Sequence, residues 1–186
     1  MKDGLATIET ARLLLSKVDQ SSREFWRNYL ADPIHTLYLP RNRPYTLDES
    51  DSYYWHRLKH WREKGFGTWL IRVRKAESSQ SNHGQEQAIG FCGLEYVGNY
   101  PHLDLRYGID RHFQGQAFAP EAARAILETG FGGLALDEIY GAAEHENIAS
   151  LRVLEKLGME RCYKVDFYGS LVKYFRIDKA KWDTMV

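Results

Sequence analysis

The chain has 186 residues, of which 44% are hydrophobic and 27% charged, a composition that is typical of globular proteins and excludes a disordered or fibrous chain. This length suits one domain, which we expect to span residues 1–186. The 25 basic and 25 acidic side chains leave no net charge, so no overall positive field would hold nucleic acid or an acidic membrane.

Apolar periodicity and the start and stop signals of helices predict six elements in the first part of the chain. They are a strand over 8–18, a helix from about 21 to 31, a helix from 46 to 64, and strands over 68–75, 88–97 and 102–110. The polar stretch over 76–87 is interpreted as a long hairpin loop, because strand patterns flank it closely on both sides.

After residue 110 the apolar period changes. This part predicts helices over 119–134 and 148–157, a strand over 138–143, and a closing hairpin of strands over 159–167 and 171–177. The order β-α-α-β-β-β-α-β-α-β-β indicates one mixed α/β domain, with antiparallel pairing early and a βαβ crossover later.

Several classes of protein are excluded by residue usage. The two cysteines, Cys92 and Cys162, lie far apart and form neither a disulfide scaffold nor a CxxC zinc or redox site. The seven histidines form no HExxH pattern, and we expect no metal. No apolar signal region opens the chain, and no apolar run reaches the ~20 residues of a membrane span. We therefore expect a cytoplasmic protein with no membrane or nucleic-acid partner.

The connection between a strand and a helix over 110–121 is the most informative stretch. Gly115 can adopt a positive φ, Ala117 and Ala119 allow a ligand close to the backbone, and Pro120 suits the first helical turn. Free amides at the helix N-terminus favour an anion, of which a pyrophosphate is the natural example. The stretch has neither the Walker pattern nor the dinucleotide-binding pattern. By spacing alone, an ordinary tight turn is the alternative.

A second stretch covers residues 144–158 (EHENIASLRVLEKLG). Asn147 stands at the end of a strand, where a helix N-cap is expected, and Ser150 lies one turn into the helix. Taken alone, this stretch also fits an ordinary capped amphipathic helix.

Together, in this order, the two stretches resemble the GNAT N-acetyltransferases. Residues 114–122 (QGQAFAPEA) are similar to the W-G-x-G-x-A-x-E-A loop of the Rim-type acetyltransferases, which act on the N-termini of ribosomal proteins. Residues 147–150 (NIAS) and 154–159 (LEKLGM) resemble the N-x-x-S and L-E-K-L-G-F signature of that group. The likeness extends to residues 10–15 and 89–94, so it covers nearly the whole chain.

Two positions depart from the family pattern. His112 stands where the loop begins with Gln or Arg, and Ala117 replaces the second glycine. The first change matters little if backbone amides bind the ligand, and the family pattern allows the second.

The resemblance implies the GNAT fold, in which helices flank a mostly antiparallel, twisted sheet that splays into a V. It also implies acetyl-CoA as the co-substrate, bound in the splay. The pantetheine arm would bond along the strand that carries Leu105, Tyr107 and Ile109, and Asn147 would hold that arm or orient a strand end. The pyrophosphate would bind the backbone amides of six consecutive residues: Gln114, Gly115, Gln116, Ala117, Phe118 and Ala119.

Acetyl transfer also requires polarisation of the thioester carbonyl and stabilisation of the thiolate that leaves. A strand amide near Ile109 is our candidate donor to the carbonyl. Many GNAT enzymes place a Tyr at the position of Leu154, which has no proton to give. The resemblance to Rim-type enzymes assigns thiolate stabilisation to Ser150, through a hydrogen bond.

A base or a water relay must take a proton from the amine. Our candidate is Glu95, because other GNAT enzymes carry a carboxylate near this position. Asp104 matches the acidic residue before the end of the Y-x-I strand of the Rim-type pattern, and residues 144–146 (EHE) offer a histidine. These alternatives stay open, as does transfer with water as the proton acceptor.

The sequence thus predicts an acetyl-CoA-dependent N-acetyltransferase that acts on a primary amine, with a protein N-terminal α-amine as the favoured acceptor. A small amine such as an amino sugar, a polyamine or an antibiotic is the alternative, since Asp48, Glu49 and Asp51 lie near the expected cleft. A catalytically silent acyl-CoA-binding protein is a third interpretation. A homodimer is compatible with all three.

Overall fold

Eight strands form one sheet in the computed structural model, which describes residues 5–74, 87–169 and 171–185. The spatial order is β1-β2-β3-β4-β5-β6-β8-β7. The strands are β1 (Thr7–Glu9), β2 (Leu13–Lys17), β3 (Thr68–Val73), β4 (Gly90–Tyr96), β5 (Leu103–Ile109), β6 (Glu138–Glu144), β7 (Glu160–Cys162) and β8 (Val172–Asp178). This mixed architecture confirms the predicted fold class.

Strand pairing is antiparallel everywhere except between β5 and β6. These two central strands run parallel and share one registered pair, Asp104 with Tyr140. The β5 residues that follow Asp104, up to Ile109, pair with β4 on their other side and have no registered partner on β6. The sheet therefore opens between its two central strands.

Six α-helices lie in the described part of the chain. They are α1 (Arg23–Ala31), α2 (Pro33–Thr36), α3 (Leu47–Lys64), α4 (Phe118–Glu128), α5 (Ile148–Lys156) and α6 (Lys179–Asp183). The sequence fixes the ends of α3 clearly: Thr46 and Glu49 form a capping box, and Gly65 ends the helix at φ +75° with its N–H donating to Trp61 O.

Side chains alternate between the two faces of the sheet, and each face has its own core. On one face Ile71 and Leu94 pack with Ile126 of α4 and Leu154 of α5; we call this the α4 face. On the other face the core contains Leu70 and Phe91, from the same strands, and the helix residues Trp26 of α1 and Tyr54 of α3. We call this the α3 face.

The single strand predicted over 8–18 is wrong, because a turn at residues 10–12 divides it into β1 and β2. Thr10 closes the turn: its N–H donates to Leu13 O, and its hydroxyl oxygen accepts from Leu13 N, both at 2.9 Å. A polar side chain that bonds nearby backbone competes with a continuous strand.

Two other predicted elements end earlier in the structure. The helix over 119–134 ends at Glu128 and continues as a π-helical turn over Thr129–Gly133, where three glycines disfavour regular helix. The strand over 159–167 is confined to β7, and Phe167 and Tyr168 of the following segment pack against Tyr140 and Tyr174. The short helices α2 and α6 were not predicted. The predicted hairpin loop over 76–87 lies outside the described residues, except for its last position.

Candidate active site

The turn between β5 and α4 has the backbone shape that an anion site requires. Gly115 and Ala117 both adopt positive φ, of +77° and +60°. No atom of the described residues lies within 4 Å of the place where a Cβ at Gly115 would sit, so glycine is needed there for its conformation and not for close packing. Ala117 is the N-cap of α4 and makes no side-chain cap. The amides of the first turn therefore lack the usual capping partner and can bind a ligand.

Contacts from the β1–β2 turn fix this loop. Arg12 Nη1 donates to Gln116 O at 3.0 Å, and the Glu121 carboxylate accepts from Thr10 Oγ1 at 2.6 Å and from Arg12 Nε at 2.6 Å. Burial alone would raise the pKa of Glu121, but these hydrogen bonds outweigh it and lower the pKa. These contacts were not predicted from the sequence, although Thr10, Arg12, Gln116 and Glu121 stand in the two segments, 10–15 and 114–122, that resemble the family.

Predicted residues from two distant motifs meet on the α4 face. The Tyr107 hydroxyl donates to Ser150 O at 2.9 Å and lies 2.8 Å from Ser150 Oγ. Asn147 Oδ1 accepts from Ser150 N at 3.1 Å, so Asn147 is the N-cap of α5. Burial raises the pKa of Tyr107, which keeps its phenol protonated as a hydrogen-bond donor.

This contact gives the Tyr107 side chain a place that the sequence did not indicate, since Tyr107 was predicted to act through its backbone. Leu154, at the position where many relatives place a tyrosine, is fully buried in the core of the α4 face. The phenol next to Ser150 is therefore that of Tyr107 on β5, and not that of a tyrosine on α5. The neighbouring β5 residues Leu105 and Ile109 are buried, and Gln114 Nε2 donates to Ile109 O at 3.0 Å.

Glu95 lies on the α3 face, inside a network of charges. Its carboxylate accepts from Thr68 Oγ1 at 2.6 Å and lies 3.3 Å from Arg106 Nη1 and 3.5 Å from Arg57 Nη2. Burial would raise the pKa of Glu95, but the two arginines and the Thr68 hydrogen bond outweigh it and hold the pKa at about 2. A carboxylate with so low a pKa is a weak proton acceptor near neutral pH.

Asp104 lies directly opposite Glu95 in the β4–β5 ladder. Its Oδ2 accepts from the Tyr168 hydroxyl at 2.7 Å and lies 3.5 Å from Arg106 Nε. Its Oδ1 is buried without a hydrogen-bond partner among the described residues. Burial raises the pKa of Asp104 to about 6, although Arg106 and Tyr168 oppose the rise. Of the two carboxylates, Asp104 is therefore the better suited to take a proton at neutral pH.

A cavity of about 470 Å³ opens on this face. Its lining includes Arg41, Tyr45, Glu49, Tyr53, Arg57 and Arg106. The Arg57 guanidinium stacks 3.3 Å from the centroid of the Tyr53 ring, and its Nε is buried without a hydrogen-bond partner among the described residues. Aromatic and cationic groups thus dominate the walls of the cavity.

Two of the three acidic residues expected near this cleft are held by arginines. Glu49 bonds to Arg43 at 2.7 Å and to Arg41 at 2.9 Å, and hydrogen bonding from Arg43 holds the pKa of Glu49 at about 2. Asp51 bonds to Arg23 and Arg27, which lower its pKa strongly, and it does not line the cavity. Asp48 lines the cavity.

Within the ranges 5–74, 87–169 and 171–185, no cluster of three or more His, Cys, Asp or Glu side chains could hold a metal ion. None of the helices described there is both long enough and apolar enough to cross a membrane.

Comparison with protein families and relatives gives a consistent result. The model of the acetyltransferase (GNAT) domain matches residues 12–160. The chain is 37% identical over 67 residues to YnaD of Bacillus subtilis, described as an uncharacterized N-acetyltransferase, and 29% identical over 114 residues to YkkB of the same organism. These matches cover 36% and 60% of this chain, and the chain spans only 39% and 62% of the length of those relatives.

Solved structures share the fold along almost their whole length. An acetyltransferase of Agrobacterium tumefaciens superposes with a TM-score of 0.80 at 21% identity, over 93% of this chain and 94% of the other. Spermidine N-acetyltransferase of Vibrio cholerae, solved with CoA and spermine, gives 0.70 at 20% identity, over 93% and 99%. Ribosomal-protein-S5-alanine acetyltransferase of Vibrio fischeri gives 0.70 at 15% identity, over 95% and 98%. At these identities the likeness shows the fold alone.

Proposed function

The chain belongs to the GNAT family of N-acetyltransferases, and from that premise we propose that it transfers an acetyl group from acetyl-CoA to a primary amine. The observation that carries this proposal is the uncapped first turn of α4, which lies next to the β5 edge that β6 leaves unpaired. One element can bind a pyrophosphate, and the other can accept an extended arm as an additional strand.

The residues present fit acetyl-CoA in three places. The backbone from Gln114 to Ala119 would hold the pyrophosphate, with open space next to Gly115. The edge of β5 over 105–109 would hold the pantetheine arm. Asn147 caps α5 and so orients Ser150, which would lie near the sulfur. When bound, acetyl-CoA supplies an activated thioester.

We propose that Asp104 accepts the proton that the amine loses. The carboxylate accepts the proton as the amine nitrogen forms its bond to the acetyl carbon and the carbon–sulfur bond breaks. The pKa of Asp104, raised to about 6 by burial, lies close to neutral pH, where a general base is most effective. Glu95, our candidate from the sequence, would instead keep Arg106 and Arg57 in place. Water as the acceptor is the remaining alternative.

Ser150 and Tyr107 support the departing sulfur. Ser150 Oγ would donate a hydrogen bond to the thiolate. For this, the Tyr107 hydroxyl turns its single proton from Ser150 O to Ser150 Oγ, which lies 2.8 Å away, and so strengthens the serine as a donor. The protonated state of Tyr107 suits this role.

For the acceptor, we propose a protein N-terminal α-amine and a place in the Rim-type group. The motif over 147–159, which resembles the Rim-type signature, supports this assignment. The cavity disfavours a polyamine, because a polycation needs several carboxylates along its length. Of the three expected acidic residues, Asp51 does not line the cavity and Glu49 is held by Arg41 and Arg43, which leaves Asp48. A single domain over 1–186, a cytoplasmic location and a homodimer stay predictions.

Release of CoA thiol with three acceptors tests the proposal. We expect turnover of peptides that begin with Ala or Ser, and little turnover of spermidine. The same peptides with an acetylated N-terminus are the matched control and should be inert. Turnover of spermidine without turnover of peptides would contradict the proposed acceptor. CoA binding without turnover of any amine would contradict the transferase activity.

A further inference from the structure

Tyr168 reaches the candidate site from the loop between β7 and β8, which no sequence motif singles out. Its hydroxyl donates to Asp104 Oδ2 at 2.7 Å. Oδ2 also lies 3.5 Å from Arg106 Nε, so Tyr168 makes the shorter contact with this oxygen.

The loop that carries Tyr168 is fixed against the sheet. The Tyr168 N–H donates to the Tyr174 hydroxyl oxygen at 2.6 Å, and the Tyr174 hydroxyl donates to Gly169 O at 3.2 Å. The Phe167 ring packs edge-on against the Tyr174 ring, with centroids 4.9 Å apart. An anchored backbone on both sides of Tyr168 gives its hydroxyl a defined position.

Charged and titratable groups lie beside Asp104. They are Arg106 on β5, Glu95 opposite it on β4, Tyr140 in register with it on β6, and Tyr168. Arg57 on α3 contacts Glu95. Arg106 contacts both Glu95 and Asp104, so one guanidinium charge is shared between two carboxylates. The Tyr140 hydroxyl donates to Glu138, away from Asp104. Tyr168 is therefore the neutral donor that stabilises the charged form of Asp104.

We propose that Tyr168 is a positioning residue for acetyl transfer, whose hydroxyl orients the Asp104 carboxylate and favours its ionised form. This inference rests on the proposed function, because Asp104 must be the proton acceptor for the orientation to matter. The hydroxyl bonds to Oδ2, which leaves the buried Oδ1, without a partner among the described residues, to take the amine proton.

The test compares the Tyr168→Phe variant with the wild-type chain. Loss of a hydrogen bond to a charged group disfavours that charge, so the acid limb of the kcat/KM profile should move upward by about one pH unit. Turnover on the alkaline plateau should fall less than turnover at acid pH, because there the carboxylate is ionised in both proteins and only its orientation is lost. The ring and its packing against Phe167 are kept. Tyr163→Phe, a substitution of an exposed tyrosine in the same loop, is the matched control and should leave the profile unchanged.

A second readout does not depend on activity. The Asp104 carboxyl is titrated by carbon NMR in both proteins, with Asp104→Asn used to assign the signal. A parallel upward shift of the titration and of the acid limb supports the proposal. An unchanged titration overturns it. If the titration shifts but the acid limb of the kcat/KM profile does not, neither Asp104 nor Tyr168 has the proposed catalytic role. If the titration shifts but no amine is turned over, the proposed function itself is contradicted.

Discussion

The two faces of the sheet supply different kinds of group to the candidate site. On the α4 face the groups are backbone amides and the neutral hydroxyls of Tyr107 and Ser150. On the α3 face they are charged side chains, with Glu95 and Asp104 buried among arginines. Neutral donors bind a ligand without a large cost of burial, whereas buried charges depend on each other. The α3 face should therefore be the more sensitive to single substitutions.

Removal of Glu95 should have the largest effect on stability. Glu95→Ala leaves Arg57 and Arg106 without their shared carboxylate, and loss of one partner of a buried ion pair costs about 3–5 kcal/mol in the free energy of unfolding. Denaturant unfolding measures the change. Glu155→Ala, at an exposed position on α5, is the control and should lie within about 0.5 kcal/mol of wild type. Equal changes in the free energy of unfolding for the two substitutions would contradict a stabilising role of the Glu95 ion pairs.

The same network predicts a pH dependence of stability. The pKa of Glu95 is held at about 2 in the folded chain, below its ordinary value of 4.5. Glu95 therefore stabilises the fold above pH 4.5, and this contribution is lost as the pH falls from 4.5 towards 2. In the Glu95→Gln variant that part of the acid sensitivity should be absent, which acid titration of the folded fraction measures.

Replacement of the proposed base should reduce the rate without unfolding the chain. We expect Asp104→Asn to lower kcat/KM about 100-fold, the lower range for loss of a general base. In the wild-type chain kcat/KM should fall as the pH drops through about 6, where Asp104 becomes protonated. A steady-state pH profile measures both effects. Full activity of Asp104→Asn would indicate that water, and not Asp104, accepts the amine proton.

On the α4 face the sharpest test is the glycine in the loop. Gly115→Val forces a branched side chain into positive φ and should weaken CoA binding by about tenfold or more, since such strain costs about 1–3 kcal/mol. Gly98→Val is the matched control, because Gly98 also has a positive φ and open surroundings but lies in the β4–β5 loop. Calorimetric titration with CoA compares them, and equal binding by both variants would place the pyrophosphate elsewhere.

Substitution of the two residues proposed to support the CoA sulfur should have the smallest effect on activity. Ser150→Ala and Tyr107→Phe should each lower kcat about tenfold, because each removes one hydrogen bond worth about 1.5 kcal/mol to the charged thiolate or to its donor. CoA affinity should be unchanged, and the double variant should be little worse than either single one, since the two groups act in series. A fall in affinity that equals the fall in kcat would make their role purely structural.

The same contrast explains what could be predicted from the sequence. The α4 face depends on local patterns: a glycine in a turn, a helix start, and an Asn three residues before a Ser. The fold class followed from periodicity, although the turn at Thr10 divided the first strand. On the α3 face, Thr68, Glu95, Asp104 and Tyr168 are distant in sequence and adjacent in space. No local sequence pattern indicates that these residues are neighbours. The choice of Asp104 over Glu95 as the proposed proton acceptor therefore depends on the charges that the fold places around each carboxylate.

A crystal structure of the full chain with bound CoA tests the central claim most directly. We predict the pyrophosphate on the backbone amides of residues 114–119, the pantetheine arm along β5, and the sulfur within hydrogen-bonding distance of Ser150 Oγ. A CoA molecule that lies away from the first turn of α4, or whose sulfur lies beyond hydrogen-bonding distance of Ser150 Oγ, would contradict the account.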